Sequence, residues 1–164
     1  MNDRMIVLEL ARIEGGHLAA LVTQFAELLD ESTDSAQRDP GILRLVPDAY
    51  SDDAEAAAEF RSLTESDLIG RRQSDASIVL ASLAGYLELS DDPDDPALVE
   101  SVDVRLDADT ARAWLRTLAA IRLVLATRLG IDDEDDHDGE DPRFGIYDWL
   151  GYRLDGLVRA LDAD

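Results

Sequence analysis

Ala111-Arg-Ala-Trp-Leu-Arg-Thr-Leu-Ala-Ala-Ile-Arg-Leu-Val-Leu-Ala-Thr-Arg-Leu-Gly-Ile131 is the stretch that decides the fold. At 100° per residue, Ala111, Trp114, Leu115, Leu118, Ala119, Ile121, Leu125, Ala126 and Leu129 make one broad apolar stripe. Leu123 and Val124 lie off it, so little of this helix is built to face water. Gly130 stands where a C-cap glycine belongs, and Asp107 or Asp109 supplies the opposite end. The segment is expected to be the central helix of a mainly α, single-domain bundle. Arg122 interrupts the stripe.

Working outward, Val99 to Leu106 places Val102, Val104 and Leu106 on one side, as a strand would. The short apolar run Met5 to Leu10 is its natural partner, because a lone strand leaves its backbone polar groups unsatisfied. Glu14 to Glu31 keeps helical spacing through Leu18, Leu21, Val22, Phe25, Leu28 and Leu29, with His17 at the edge of the apolar face. Ser51 caps an alanine-rich helix through Arg61, and Thr64-Glu65-Ser66-Asp67 signals a fresh start for a helix running to about Leu87. Arg72 falls on the apolar stripe of that last segment. Gly41 to Val46 has room for one helical turn before Pro47. Phe144 to Leu161 is helical on Tyr147, Leu150, Leu154, Leu157, Val158 and Leu161. The expectation is one domain over residues 1–164, with about five helices, a small two-stranded sheet and acidic loops near 90–97 and 132–142. No internal repeat is visible in the residues.

Thirty-seven acidic residues stand against 15 basic ones, all arginine, for a formal net charge of −22. Such a surface repels phosphate backbones and anionic lipid, so nucleic acid and membrane are disfavoured as partners. With no cysteine, disulfides, thiolate ligands and cysteine nucleophiles are excluded. Met5 to Leu10 is too short for a signal-peptide core, and no apolar run reaches membrane-spanning length, so the cytoplasm is the expected location.

Catalytic motifs are lacking. The two histidines, His17 and His137, have no motif context, and no phosphate loop or nucleophile elbow occurs. The acidic run Asp132 to Asp141 fails as a calcium loop: with Gly139 at the sharp turn, Gly145 falls where a bidentate glutamate is required. No enzyme activity, metal or cofactor is expected. Two features stand out instead. Arg72 and Arg122, cations on apolar stripes, are either held by internal carboxylates or clamp an anionic ligand. On the last helix, Gly145, Trp149, Tyr152 and Gly156 line up opposite the core stripe, as a face either for this chain's own loops or strands or for a protein partner or a homodimer.

The chain resembles an uncharacterised actinobacterial family, a domain of unknown function. The resemblance rests on Pro47-Asp-Ala-Tyr50, Glu55-Ala-Ala-Ala-Glu-Phe-Arg61, Leu63-Thr64 with Asp67-Leu68, Trp114-Leu115 with Leu118, Arg122-Leu-Val-Leu125, Thr127-Arg-Leu-Gly-Ile131 and Tyr147-Asp-Trp-Leu-Gly151. Ala126 replaces a family glycine. The resemblance implies genes beside a Clp-protease adaptor, near a metallopeptidase and cysteine-biosynthesis proteins, and some relatives described as transcriptional regulators. It supplies no catalytic residue, but makes Arg122 and Arg128 family features. The expected role is thus a non-enzymatic interaction or regulatory module linked to Clp proteolysis. The alternatives are a transcriptional regulator and an anionic-ligand binder using Arg122 and Arg72.

Overall fold

A computed structural model describes residues 5–31, 54–84, 92–130 and 144–162. In chain order these form β1 (Met5–Ala11), α1 (Arg12–Glu31), α2 (Ala54–Ser82), a 3-10 turn (Pro96–Val99), β2 (Ser101–Asp107), α3 (Ala108–Leu129) and α4 (Gly145–Asp162). Period-two alternation turns one face of each strand inward. The strands pair antiparallel, with Ile6 opposite Leu106, Leu8 opposite Val104 and Leu10 opposite Val102. Pro96 opens the 3-10 turn and Asp95 caps it, so the second strand begins at Ser101 instead of Val99.

The described residues hold four α-helices where about five are expected. The alanine-rich segment and the segment expected to restart at Thr64 are one continuous helix, α2. No glycine or proline interrupts Ala54 to Ile69, and a Ser, Thr or Asp inside a helix costs only about 0.5 kcal/mol, too little to stop it. α2 ends at Ser82, short of Leu87, where the Leu83 N–H is shared between the Val79 and Leu80 carbonyls. The expected helical turn at 41–46 and the acidic loop at 132–142 lie outside the described residues.

α3 is the buried centre. Asp107 caps it by accepting the Thr110 N–H at 2.7 Å, and Gly130 ends it in the left-handed region at φ 74°. Trp114 is fully enclosed, and its indole N–H donates to Ser82 Oγ at 3.3 Å. α2 and α4 both pack on α3, and α2 also packs on α1. This cover on two flanks buries Ala113, Thr117, Ala120 and Val124 as well as the expected stripe, while Ala119 faces solvent.

Among the described residues, the two halves repeat one plan: strand, helix, helix. The strands begin at Met5 and Ser101 and their helices at Arg12 and Ala108, 96 residues apart in both cases. At that offset the counterpart of Leu8 is Val104, the residue it faces across the sheet, which marks a local two-fold axis there. Buried Gly15, Leu18, Val22 and Phe25 correspond to buried Ala111, Trp114, Leu118 and Ile121. The junctions correspond too. Glu14 Oε1 accepts the Ala11 N–H at 3.2 Å and Asp107 Oδ1 accepts the Thr110 N–H, the two complementary halves of one capping box.

Candidate functional site

Glu14 joins three elements. Because β1 runs straight into α1, Glu14 stands at the third helical position and reaches back to the Ala11 N–H. Its Oε2 accepts from the Trp149 indole at 2.9 Å and from Arg153 Nη2 at 2.6 Å, which ties α4 to the start of α1. Arg153 also donates to the Glu9 carbonyl at 3.2 Å. Burial pushes the Glu14 carboxyl upward, but the donors Arg153, Ala11 and Trp149 together outweigh it and hold the group below its ordinary value.

Past Glu14 the two helices part, leaving a groove of about 460 Å³. One wall is α1, with His17, Ala20, Leu21 and Gln24; the other is the first turns of α4, with Gly145, Ile146 and Trp149. Ile146 is 55% exposed and Trp149 half-buried, so apolar surface opens to solvent in a strongly acidic molecule. Tyr152 is 69% exposed and is not among the groove's lining residues; the Arg153 guanidinium lies 5.4 Å from its ring. A Cβ added at Gly156 would meet nothing within 4 Å, so no close approach requires that glycine.

Arg122 reaches from α3 under α4. Its Nε donates to the Tyr147 carbonyl at 3.2 Å, and the guanidinium lies over the Tyr147 ring at 3.9 Å. A Cβ at Gly151 would come within 2.9 Å of Nη2, so this glycine makes space for the cation. The described residues thus give Arg122 a carbonyl and an aromatic face as partners, where a carboxylate or a ligand was expected.

Arg72 lies elsewhere, in a concavity of about 420 Å³ between α2 and α3 lined by Leu68, Arg71, Ser74, Asp75 and Arg116. Its Nη1 donates to the Arg116 carbonyl at 3.4 Å. The strong pair here is Arg116 with Asp75, two parallel bonds of 2.9 Å that hold Arg116 above its ordinary value. Arg128 is exposed beside a shallow cleft with Leu28 and Leu125. Arg72, Arg122, Arg128 and the Trp149 groove are therefore not brought into one site.

Sequence reasoning missed Glu14 and the Asp75–Arg116 pair. Glu14 had a usable signal, an acid three residues after a strand end, but Ala11 occupies the cap position where Ser or Thr announces the motif. Among the described residues no group of three or more His, Asp or Glu side chains is placed to hold a metal ion, and no helix is long and apolar enough to cross a membrane.

The fold defines a mainly helical protein built on a small antiparallel sheet, with an open groove beside its first helix. The chain belongs to the family described as a domain of unknown function, DUF2017, whose model matches residues 1–161. No curated protein and no solved structure matches it.

Proposed function

We propose that the chain is a non-enzymatic, cytoplasmic protein-interaction module whose docking surface is the groove between α1 and α4. The observation that carries this reading is the exposed apolar lining, Ala20, Leu21, Ile146 and the Trp149 edge. A chain of net charge −22 selects a partner whose contacting segment is apolar with basic flanks. The resemblance to a family encoded beside a Clp-protease adaptor makes components of that machinery the first partners to test.

The rival readings have less behind them. A DNA-binding regulator needs a helix face of available arginines, but Arg71, Arg112 and Arg159 each meet an acid one turn away on their own helix. An anion clamp loses Arg122 to Tyr147, and the Arg72 concavity contains the Asp75 carboxylate, which opposes a second negative charge.

The test is affinity capture with Ala20→Arg and Ile146→Asp, which fill or charge the groove, beside Val99→Asp, at a position 73% exposed and absent from the groove lining. Both groove variants are expected to lose partner recovery at least about tenfold, the equivalent of roughly 1.4 kcal/mol, while the control retains it. Recovery that survives both groove changes refutes the reading.

A further inference from the structure

The local two-fold axis says what shape of segment the groove takes. On α3, Ala113, Thr117 and Ala120 are buried and share the flank of Arg116, where α2 is bonded through Asp75. The counterparts of Ala113, Arg116, Thr117 and Ala120, 96 residues earlier, are His17, Ala20, Leu21 and Gln24. These four are the α1 wall of the groove beyond Glu14. Among the described residues, one half therefore covers this flank with a helix and the other leaves it open. α2, of 29 residues, packs on both α1 and α3, whereas the hydrogen bonds of α4, of 18 residues, reach α1 at Glu14 among the described residues.

We infer that the groove is a vacant helix seat, filled by an amphipathic α-helix of a partner protein that lies antiparallel to α1, as α2 lies on α3. This rests on the docking reading above. The direction follows from the bonds of α2: Ser82 meets Trp114, whereas Asp75, earlier in α2, meets Arg116, later in α3. From Glu14 to Gln24 the seat runs for about 15 Å, near three helical turns. The partner helix presents small apolar residues to Ala20 and Leu21. It carries lysine or arginine toward Glu27 and Glu31, since the last turn of α1 has no basic residue. A second copy of this chain is a poor occupant, because it brings another −22 charges to the same surface.

The experiment places a photocrosslinking residue singly at His17, Gln24 and, as an off-groove control, Thr23, in the full chain inside cells, and maps the joined residues by mass spectrometry. His17 and Gln24 are two turns apart, about 10 Å. The expected result is one partner protein reached from both groove positions and not from Thr23. The site joined to Gln24 should lie about seven residues N-terminal to the site joined to His17. An offset of about three residues means an extended segment and overturns the helix, and the reverse order overturns the direction. Crosslinks to a second copy or within the same chain overturn the partner. Equal crosslinking from all three positions, or none from the groove, removes the docking reading itself. Purified complex should bind at least about threefold more weakly when salt rises from 50 to 300 mM; a salt-independent affinity overturns the basic flank.

Discussion

Glu14→Gln keeps the shape of the side chain that joins β1, α1 and α4 while removing its charge. Three donors converge on this carboxylate, at 3.2, 2.9 and 2.6 Å, and the Arg153 side chain is only 17% exposed. A glutamine cannot accept from all three, because its amide nitrogen must face one of them donor to donor. Hydrogen bonds to a charged group contribute about 1.5–3 kcal/mol against about 1 for neutral ones, and Arg153 keeps the Glu9 carbonyl, so the expected loss is about 2 kcal/mol. For a chain of this size that lowers Tm by about 4–8 °C. The sign of the pH dependence follows from the depressed carboxyl. Its contribution is fully present above the unfolded-state value near 4.5 and disappears as pH falls through the lower folded-state value. The assay is chemical denaturation of both proteins from pH 7 downward, with Glu27→Gln, an exposed acid on the same helix, reporting the general relief of negative charge. The gap between wild type and Glu14→Gln should close in acid. A gap that is constant with pH, or no larger than the Glu27→Gln effect, refutes the role given to Glu14.

Two further predictions concern the arginines. In an Arg122→Ala background Gly151→Ala should stabilise by up to about 1 kcal/mol, the ordinary helix preference for alanine, whereas in the wild type the gain should be smaller or lost, because the new methyl displaces the Arg122 guanidinium from Tyr147. A double-mutant cycle by thermal melts reads this difference, and additive effects refute the packing. Arg116→Met should cost about 1–2 kcal/mol, since it leaves a nearly buried Asp75 carboxylate unpaired, whereas Arg71→Met at an exposed one-turn pair should cost less than about 0.5 kcal/mol. Equal costs in urea titration would show that burial of Asp75 carries no weight.

The centre of the fold was legible because α3 declares itself three ways: an apolar stripe, an aspartate at one end and a glycine at the other. The strand pairing was legible from alternation, down to the inward side of Val104 and Leu106. What escaped depends on a second surface. Ala119 and Ala120 are the same residue type, yet one is exposed and one buried, because α2 covers only one flank of α3. Arg122 reads as a cation seeking an acid; its carbonyl and ring partners become visible only when Gly151 is placed against it. The internal two-fold axis left no repeat in the letters, since Leu18 and Trp114, or Phe25 and Ile121, satisfy the same buried position with different side chains. The groove has the weakest signature of all. His17, Ala20 and Gln24 look like an ordinary wetted edge until their counterparts are seen under a helix.

The pairing of β1 with β2 also sets the order in which the chain can be completed. Met5 to Ala11 leave the ribosome 96 residues before the strand they match, so at about 5–20 residues per second they wait on the order of 5–20 s for it. During that interval Ile6 and Leu10 have no sheet to close over them, and the nascent first half presents an open, sticky edge. Release from that exposed state comes only when residue 107 emerges.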